Sequence, residues 1–188
     1  HLLVKHYHYW FGPRIETGIA SDYLVGLSAG EELRVFSHHH ARFRLGDSSV
    51  PLILLAEGSG IAPYRAFVQA LRAAGNTRPC WLLFAEMQYS QDFLYQVEWQ
   101  QAVADGLVRH FDGVFRGDEP AQNLQQRVLA AGARFIEWMR NGAEVYLCGD
   151  RKMLGECEAA LAQYHDAHAA GPHWQQLVQQ GRIHRSLY

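Results

Sequence analysis

The residues with the most chemistry to offer stand where apolar runs end. Gly58-Ser59-Gly60-Ile61-Ala62-Pro63 follows the run Leu52 to Ala56. Glycines allow a sharp turn and let a ligand come close to the backbone. A helix opening there would present unpaired N–H groups and a positive dipole end, which suits a pyrophosphate. Pro63 fits the first helical turn. It also stands where the dinucleotide fingerprint G-x-G-x-x-G has its third glycine, so this is not the usual dehydrogenase loop. Taken alone, the loop also reads as a glycine turn that binds nothing. A second group, Cys148-Gly149-Asp150, ends the run Glu144 to Leu147, and ligands of open α/β sheets bind at the carboxyl ends of strands. Cys80 and Cys157 have no C-x-x-C spacing and read as plain thiols. His6 and His8 share a face at i, i+2, but no Cys or carboxylate set completes a zinc or copper site. His38, His39 and His40 cannot all face one metal from a strand. No Ser-His-Asp order carries a nucleophile-elbow signature.

Elements must hold these residues in place, and the chain changes character near residue 48. Before it, Leu2 to Tyr9 and Glu32 to Phe36 read as strands, and Phe11-Gly12-Pro13 as a turn. After it, strands and helices alternate. Leu52 to Ala56 is a continuous apolar run, the mark of a strand buried on both faces. Tyr64, Phe67, Val68 and Leu71 recur at helical spacing and predict an amphipathic helix closed by Gly75. Trp81 to Ala85 is a second strand. Asp92 is the expected N-cap of a helix through Ala104, and Leu107 to Phe111 a third strand. Leu124 to Met139 reads as one long helix and Glu144 to Leu147 as a fourth strand. Met153 to Tyr164 and His173 to Gln180 are the expected last helices, before a β-prone tail, Ile183 to Tyr188. This rhythm predicts an α/β fold with a doubly wound, parallel, five-stranded nucleotide-binding sheet over residues 49–188. Residues 1–48 form a separate, β-rich segment.

Composition narrows the function classes. Of 188 residues, 48% are hydrophobic and 19% charged, and the formal net charge is −2. No cationic excess exists to neutralise a nucleic-acid backbone. Three cysteines do not make a disulfide framework. The apolar run Pro51 to Ala56 is far short of the ~20 residues a membrane span needs. No signal-peptide pattern opens the chain, and a cytoplasmic location is expected.

The stretch Gly58-Ser59-Gly60-Ile61-Ala62-Pro63-Tyr64-Arg65 resembles the nicotinamide-binding half of the ferredoxin–NADP reductase family. The branch most similar holds the flavoprotein subunit of sulfite reductase and cytochrome P-450 reductase. Further matches come in order: Gly18-Ile19-Ala20-Ser21 for the G-x-x-S loop, Phe43-Arg44-Leu45, Asp92-Phe93-Leu94-Tyr95 with Glu98, Tyr146-Leu147-Cys148-Gly149-Asp150, and a C-terminal aromatic, Tyr188. The resemblance implies a module that passes hydride from NADPH or NADH to FAD, and electrons onward to a flavodoxin-like domain, a haem protein or another acceptor. It implies that Gly18, Ile19, Ala20 and Ser21 bind the flavin pyrophosphate. Gly58, Ser59 and Gly60, with Gly149 and Asp150, would hold the nucleotide. Cys148 would lie beside the nicotinamide and Tyr188 would stack on the flavin. Residues 1–48 would be the end of an antiparallel FAD-binding barrel, which needs roughly 100 residues or more, so His1 reads as a cut through that barrel.

Four positions depart from the family pattern. NADPH-selective members carry S-R and then K-x-Y to grip the 2′-phosphate. Here Arg116, a candidate nucleotide-binding residue, can supply the charge, but Phe115 precedes it and the Ser is missing. The stretch around Ala121 and Asn123 lacks Lys and Tyr, so use of NADH or weak dual use stays open. Glu86 stands in a loop that often carries a basic residue. Ser186 replaces an Asp near the tail, which weakens the proton-relay or electrostatic role expected there. Glu57 replaces the usual Pro before Gly-Ser-Gly. Two rival readings stay open. One is a nucleotide-binding or assembly module that has lost its chemistry. The other is an ordinary NAD-dependent dehydrogenase, against which Pro63 and the C-terminal aromatic speak.

Overall fold

The computed structural model of the chain describes residues 2–36 and 43–188. His38, His39 and His40 lie outside the described residues. The chain divides into two compact units, His1–His40 and Ala41–Tyr188.

In the first unit, β1 (His8–Phe11) and β2 (Arg14–Thr17) form an antiparallel hairpin, followed by α1 (Ile19–Gly26). Gly12, at φ +60°, makes the turn between the strands. This small antiparallel sheet fits part of a barrel. Two strand expectations need correction. Of Leu2 to Tyr9, only His8 and Tyr9 lie in a strand, and Glu32 to Phe36 forms none. Among the described residues no strand pairs with Glu32 to Phe36, and side chains such as Val35 and Phe36 are exposed. A β-prone run without a partner has no ladder to satisfy its backbone groups.

The second unit is a parallel sheet in the order β5-β4-β3-β6-β7. Its strands are β3 (Leu52–Glu57), β4 (Cys80–Glu86), β5 (Val108–Phe115), β6 (Glu144–Gly149) and β7 (Ile183–Leu187). Every pairing among them is parallel. All six residues of β3 are buried, as its unbroken apolar run predicts. Ile53, Leu55, Trp81, Leu83, Val145 and Leu147 turn to one face. There they pack on side chains of α5 (Leu124–Ala130), α6 (Gly132–Arg140), α7 (Arg151–His168) and α8 (Trp174–Gln179). By the two-residue period of a strand, Leu52, Leu54 and Ala56 turn to the other face, and they too are fully buried. α2 (Ala62–Ala73) supplies buried Tyr64, Val68 and Leu71. Phe43, the first residue of the Phe43-Arg44-Leu45 motif, is buried in an aromatic group with Tyr64, Phe67 and Tyr146. Each large apolar side chain so buried contributes about 1.5–3 kcal/mol.

Two helices differ from the sequence pattern. Asp92 does not cap the helix to Ala104. It ends a single turn, α3 (Tyr89–Asp92), and its carboxylate accepts the Gln88 N–H at 2.9 Å. α4 (Gln96–Ala104) starts after Tyr95, which sits at φ +58°. The long helix expected from Leu124 to Met139 is broken at Ala131 into α5 and α6. A Cβ on the adjoining Gly132 would lie 2.3 Å from the Tyr164 ring of α7, so the break falls beside a close approach of α7.

Candidate functional site

The chain runs outward from β3 through β4 to β5, then returns to place β6 and β7 on the other side. The order therefore reverses between β3 and β6. A crevice outside the carboxyl ends of two such strands is where open α/β sheets take their ligands.

Three predicted segments meet there. After β3, Gly58 (φ +55°) starts a short 3-10 turn, Gly58–Ile61, that leads directly into α2. Pro63 lies in the first turn of α2. From β6, Cys148 leads into Gly149 at φ +141°. Asp150 caps α7, accepting the Met153 N–H at 2.8 Å. From β7, the chain ends at Tyr188, whose hydroxyl lies 2.8 Å from Ser59 Oγ. The Tyr188 N–H donates to the Gly149 carbonyl at 3.2 Å, and the Arg151 N–H donates to the Tyr188 carbonyl at 3.1 Å. The terminal residue is thus tied down on both sides, with its side chain over the glycine turn.

The structure gives Gly60 a packing role that the sequence does not show. A Cβ there would fall 1.9 Å from the Cys148 carbonyl oxygen. Gly60 is required first by the approach of the loop to β6. A Cβ on Gly149 would in turn fall 2.7 Å from the Glu57 carbonyl oxygen. The two loops interlock through their missing side chains.

Cys148 and Ser186 are register partners across β6 and β7. The thiol is buried. Burial pushes it up to about 11, against a smaller opposing effect from the Ser186 hydroxyl hydrogen bond. It is therefore a neutral thiol near pH 7, a packing and hydrogen-bonding group rather than a nucleophile. Burial likewise raises the Tyr188 phenol, and the bond to Ser59 opposes that rise. Tyr64 is fully buried and its hydroxyl donates to the Leu55 carbonyl at 2.8 Å, fixing α2 to β3.

Two motifs far apart in sequence turn out to be one contact. Arg65 Nε donates to Glu98 at 2.7 Å, and its guanidinium lies 4.8 Å from the Tyr95 ring centroid. The Tyr95 and Glu98 of the second stretch thus hold the helix that opens at the glycine loop. Gly18 precedes α1 in the first unit. Its N–H donates to the Tyr7 carbonyl at 2.8 Å, and Ser21 Oγ donates back to the Gly18 carbonyl at 2.9 Å. Ile19 and Ala20 begin that helix on its exposed side. His6 meets Asp22 at 3.0 Å, and among the described residues no three His, Cys, Asp or Glu side chains are grouped to hold a metal ion.

Residues 54–159 match the family model for the oxidoreductase NAD-binding domain. The chain belongs to that family. It is also similar to sulfite reductase (NADPH) flavoprotein alpha-components. It is 37% identical to that of Cronobacter sakazakii over 185 residues, covering 93% of this chain and 31% of the relative. With the Pectobacterium atrosepticum protein the identity is 40% over 157 residues, 81% of this chain and 26% of the relative. With the Sodalis glossinidius protein it is 37% over 198 residues, 100% of this chain and 33% of the relative. The chain spans about a third of the length of these curated relatives. Among the described residues no helix is long and apolar enough to cross a membrane.

Sequence reasoning noted Glu57 only as an unusual neighbour of the loop. Its carboxylate lies in the site. One oxygen is 3.5 Å from Arg116 Nη2, and the other accepts the Asp150 N–H at 3.2 Å. The signal available was a Glu set directly between an apolar strand and a glycine turn.

Proposed function

We propose that this chain is the nucleotide-binding part of a flavoprotein oxidoreductase that takes hydride from NADPH or NADH and delivers electrons to a redox partner. The observation that carries the reading is the meeting of the Gly58–Gly60 turn, Cys148 with Ser186, and Tyr188 at the point where strand order reverses. The site suits such a nucleotide. Its turn leads into a helix N-terminus, its thiol is uncharged, and its lid is an aromatic ring held by one hydroxyl contact.

Gly58, Ser59 and Gly60 would receive the pyrophosphate, whose negative charge the start of α2 favours. Asp150 and Gly149 set the shape of the neighbouring loop. Cys148, kept neutral and oriented by Ser186, would lie against the nicotinamide without adding charge. Tyr188 would shield this place from water until the nicotinamide displaces it, giving up its bond to Ser59. When bound, FAD supplies the hydride acceptor and releases electrons one at a time. Gly18, Ile19, Ala20 and Ser21, at the start of α1, would hold the flavin pyrophosphate. The acceptor is a flavodoxin-like domain, a haem protein or another carrier. A cytoplasmic location fits these partners.

The test is anaerobic. The chain, with any native flanking sequence, is loaded with FAD, and flavin absorbance is followed after adding NADH or NADPH. Bleaching is expected, and C148A should slow it about 10- to 100-fold through misplacement of the ring. Bound flavin that neither nucleotide reduces would overturn the reading. It would favour a nucleotide-binding or assembly module without redox chemistry, for which the Glu57 carboxylate within the site speaks.

A further inference from the structure

Glu57 is 6% exposed and ends β3 at the mouth of the glycine turn. Its backbone is confined, because Gly149 leaves no room even for a methyl group beside the Glu57 carbonyl. Its carboxylate joins two loops, pairing with Arg116 from beyond β5 and with the Asp150 N–H beyond β6. An anion is thus already fixed inside the site. Glu86, at the end of β4, sets a second carboxylate at the glycine turn, with Oε1 3.2 Å from where a Gly58 Cβ would stand.

Strand order says what this anion does to a bound dinucleotide. Cys148 lies on the β6 side of the glycine turn, and Arg116 follows β5 on the other side. A dinucleotide with its nicotinamide at Cys148 and its pyrophosphate over Gly58–Gly60 therefore extends its adenosine half over β4 and β5. Arg116 is the guanidinium that this half meets at the end of β5. It is only about one-third exposed and paired with Glu57, and its buried Nε has no hydrogen-bond partner. A phosphate on the adenosine ribose needs charge-assisted donors, preferably a bidentate guanidinium. Here it would have to break an existing ion pair and sit near carboxylates.

We propose that Glu57 is a specificity-determining residue: by pairing with Arg116 it withholds the guanidinium from a ribose phosphate, so that the chain takes NADH at least as readily as NADPH. This rests on the nucleotide-binding reading above. Glu57 acts through Arg116, and the ratio of the two affinities is the quantity it sets.

The experiment measures binding of NADH and of NADPH to the chain without flavin, by nucleotide fluorescence. The wild type, E57Q, R116Q and the double variant are compared. Gln keeps the shape of Glu and an oxygen for the Asp150 N–H while removing the charge. E57Q is expected to shift the affinity ratio toward NADPH by about tenfold or more. R116Q leaves the Glu57 charge unpaired and should not raise the ratio, and the double variant, with both charges removed, should return to the wild-type ratio. A global loss of packing would weaken both nucleotides alike and leave the ratio in place. An unmoved ratio in E57Q, with both nucleotides bound, overturns the inference alone. So does a fall of about tenfold in the NADPH:NADH ratio in the double variant relative to the wild type: with both charges of the pair removed, that loss would be the guanidinium's own service to the phosphate. Binding of neither nucleotide to wild type and variants overturns the nucleotide-binding reading, and this inference with it.

Discussion

At the scale of single residues, the site is built from groups whose chemistry is set by what surrounds them. Cys148 is the clearest case. A thiol held up at about 11 by burial is almost wholly protonated at pH 8, and only the thiolate reacts with alkylating agents. Native chain treated with iodoacetamide at pH 8 should leave Cys148 unmodified, whereas chain in urea should be labelled, as peptide mass spectrometry would show. Rapid labelling of the native protein would contradict the closed packing of β6 on β7. Glu144 shows the same dependence with opposite sign. Its carboxylate is drawn down from 4.5 to about 2, first by the hydrogen bond with His184 and further by Ser48, Tyr146 and Arg78, against the cost of burial. A depressed carboxylate contributes stability above its unfolded value and loses it as pH falls through its folded value. Urea midpoints should therefore decline between about pH 4.5 and pH 2. E144Q should flatten that decline and lower neutral-pH stability by about 3 kcal/mol, because it leaves the buried Arg78 guanidinium uncompensated.

At the scale of elements, the β3 and β6 loops fit only because each lacks a side chain where the other passes. G60A would drive a methyl carbon into the Cys148 carbonyl. Overpacking of this kind costs about 1–3 kcal/mol, occasionally more. Urea unfolding should show a loss of about 3 kcal/mol, together with lost nucleotide binding. G75A, at φ +60° with open space around it, should cost about 1 kcal/mol and leave binding intact. Gly60 has no left-handed φ, so a cost there no greater than at Gly75 would mean that the loop contact yields to a methyl group. α2 is held from two directions, by the Tyr64 bond to β3 and the Arg65 pair with Glu98. The helix that faces the site is thus among the firmly fixed ones.

At the scale of the whole molecule, the two units differ in how well they bury their apolar side chains. The second has a continuous core. In the first, Trp10, Phe11, Ile15 and Phe36 are between 60% and 89% exposed. Exposed apolar groups on a two-stranded hairpin are a site for association. The chain at high concentration should self-associate in sedimentation velocity. The pair W10S and F11S should reduce that association without lowering the melting temperature of the second unit. A monomer unaffected by these changes would show that the hairpin is covered in solution.

The centre of the sheet was legible in the sequence because β3, β4 and β6 are built on apolar runs and α2 carries its contacts at helical spacing. Those are local patterns, and burial on both faces admits few others. The glycine turn and the Cys148-Gly149-Asp150 end were legible for the same reason, as breaks that follow such runs. Local pattern failed where the outcome depended on a partner. Glu32 to Phe36 has β-prone residues but, among the described residues, no strand to pair with. The helix from Leu124 is interrupted at Ala131, next to Gly132, whose missing side chain leaves room for Tyr164, over thirty residues further on. The site divides in the same way. Sequence alone singled out the loops that meet at the carboxyl ends of β3 and β6, and the family they resemble. Tertiary structure decided that Gly60 is needed for Cys148, that Arg65 belongs to Glu98, that Tyr188 rests on Ser59, and that Glu57 holds Arg116. Those relations are distances between residues far apart in the chain, and only packing the strands side by side sets them.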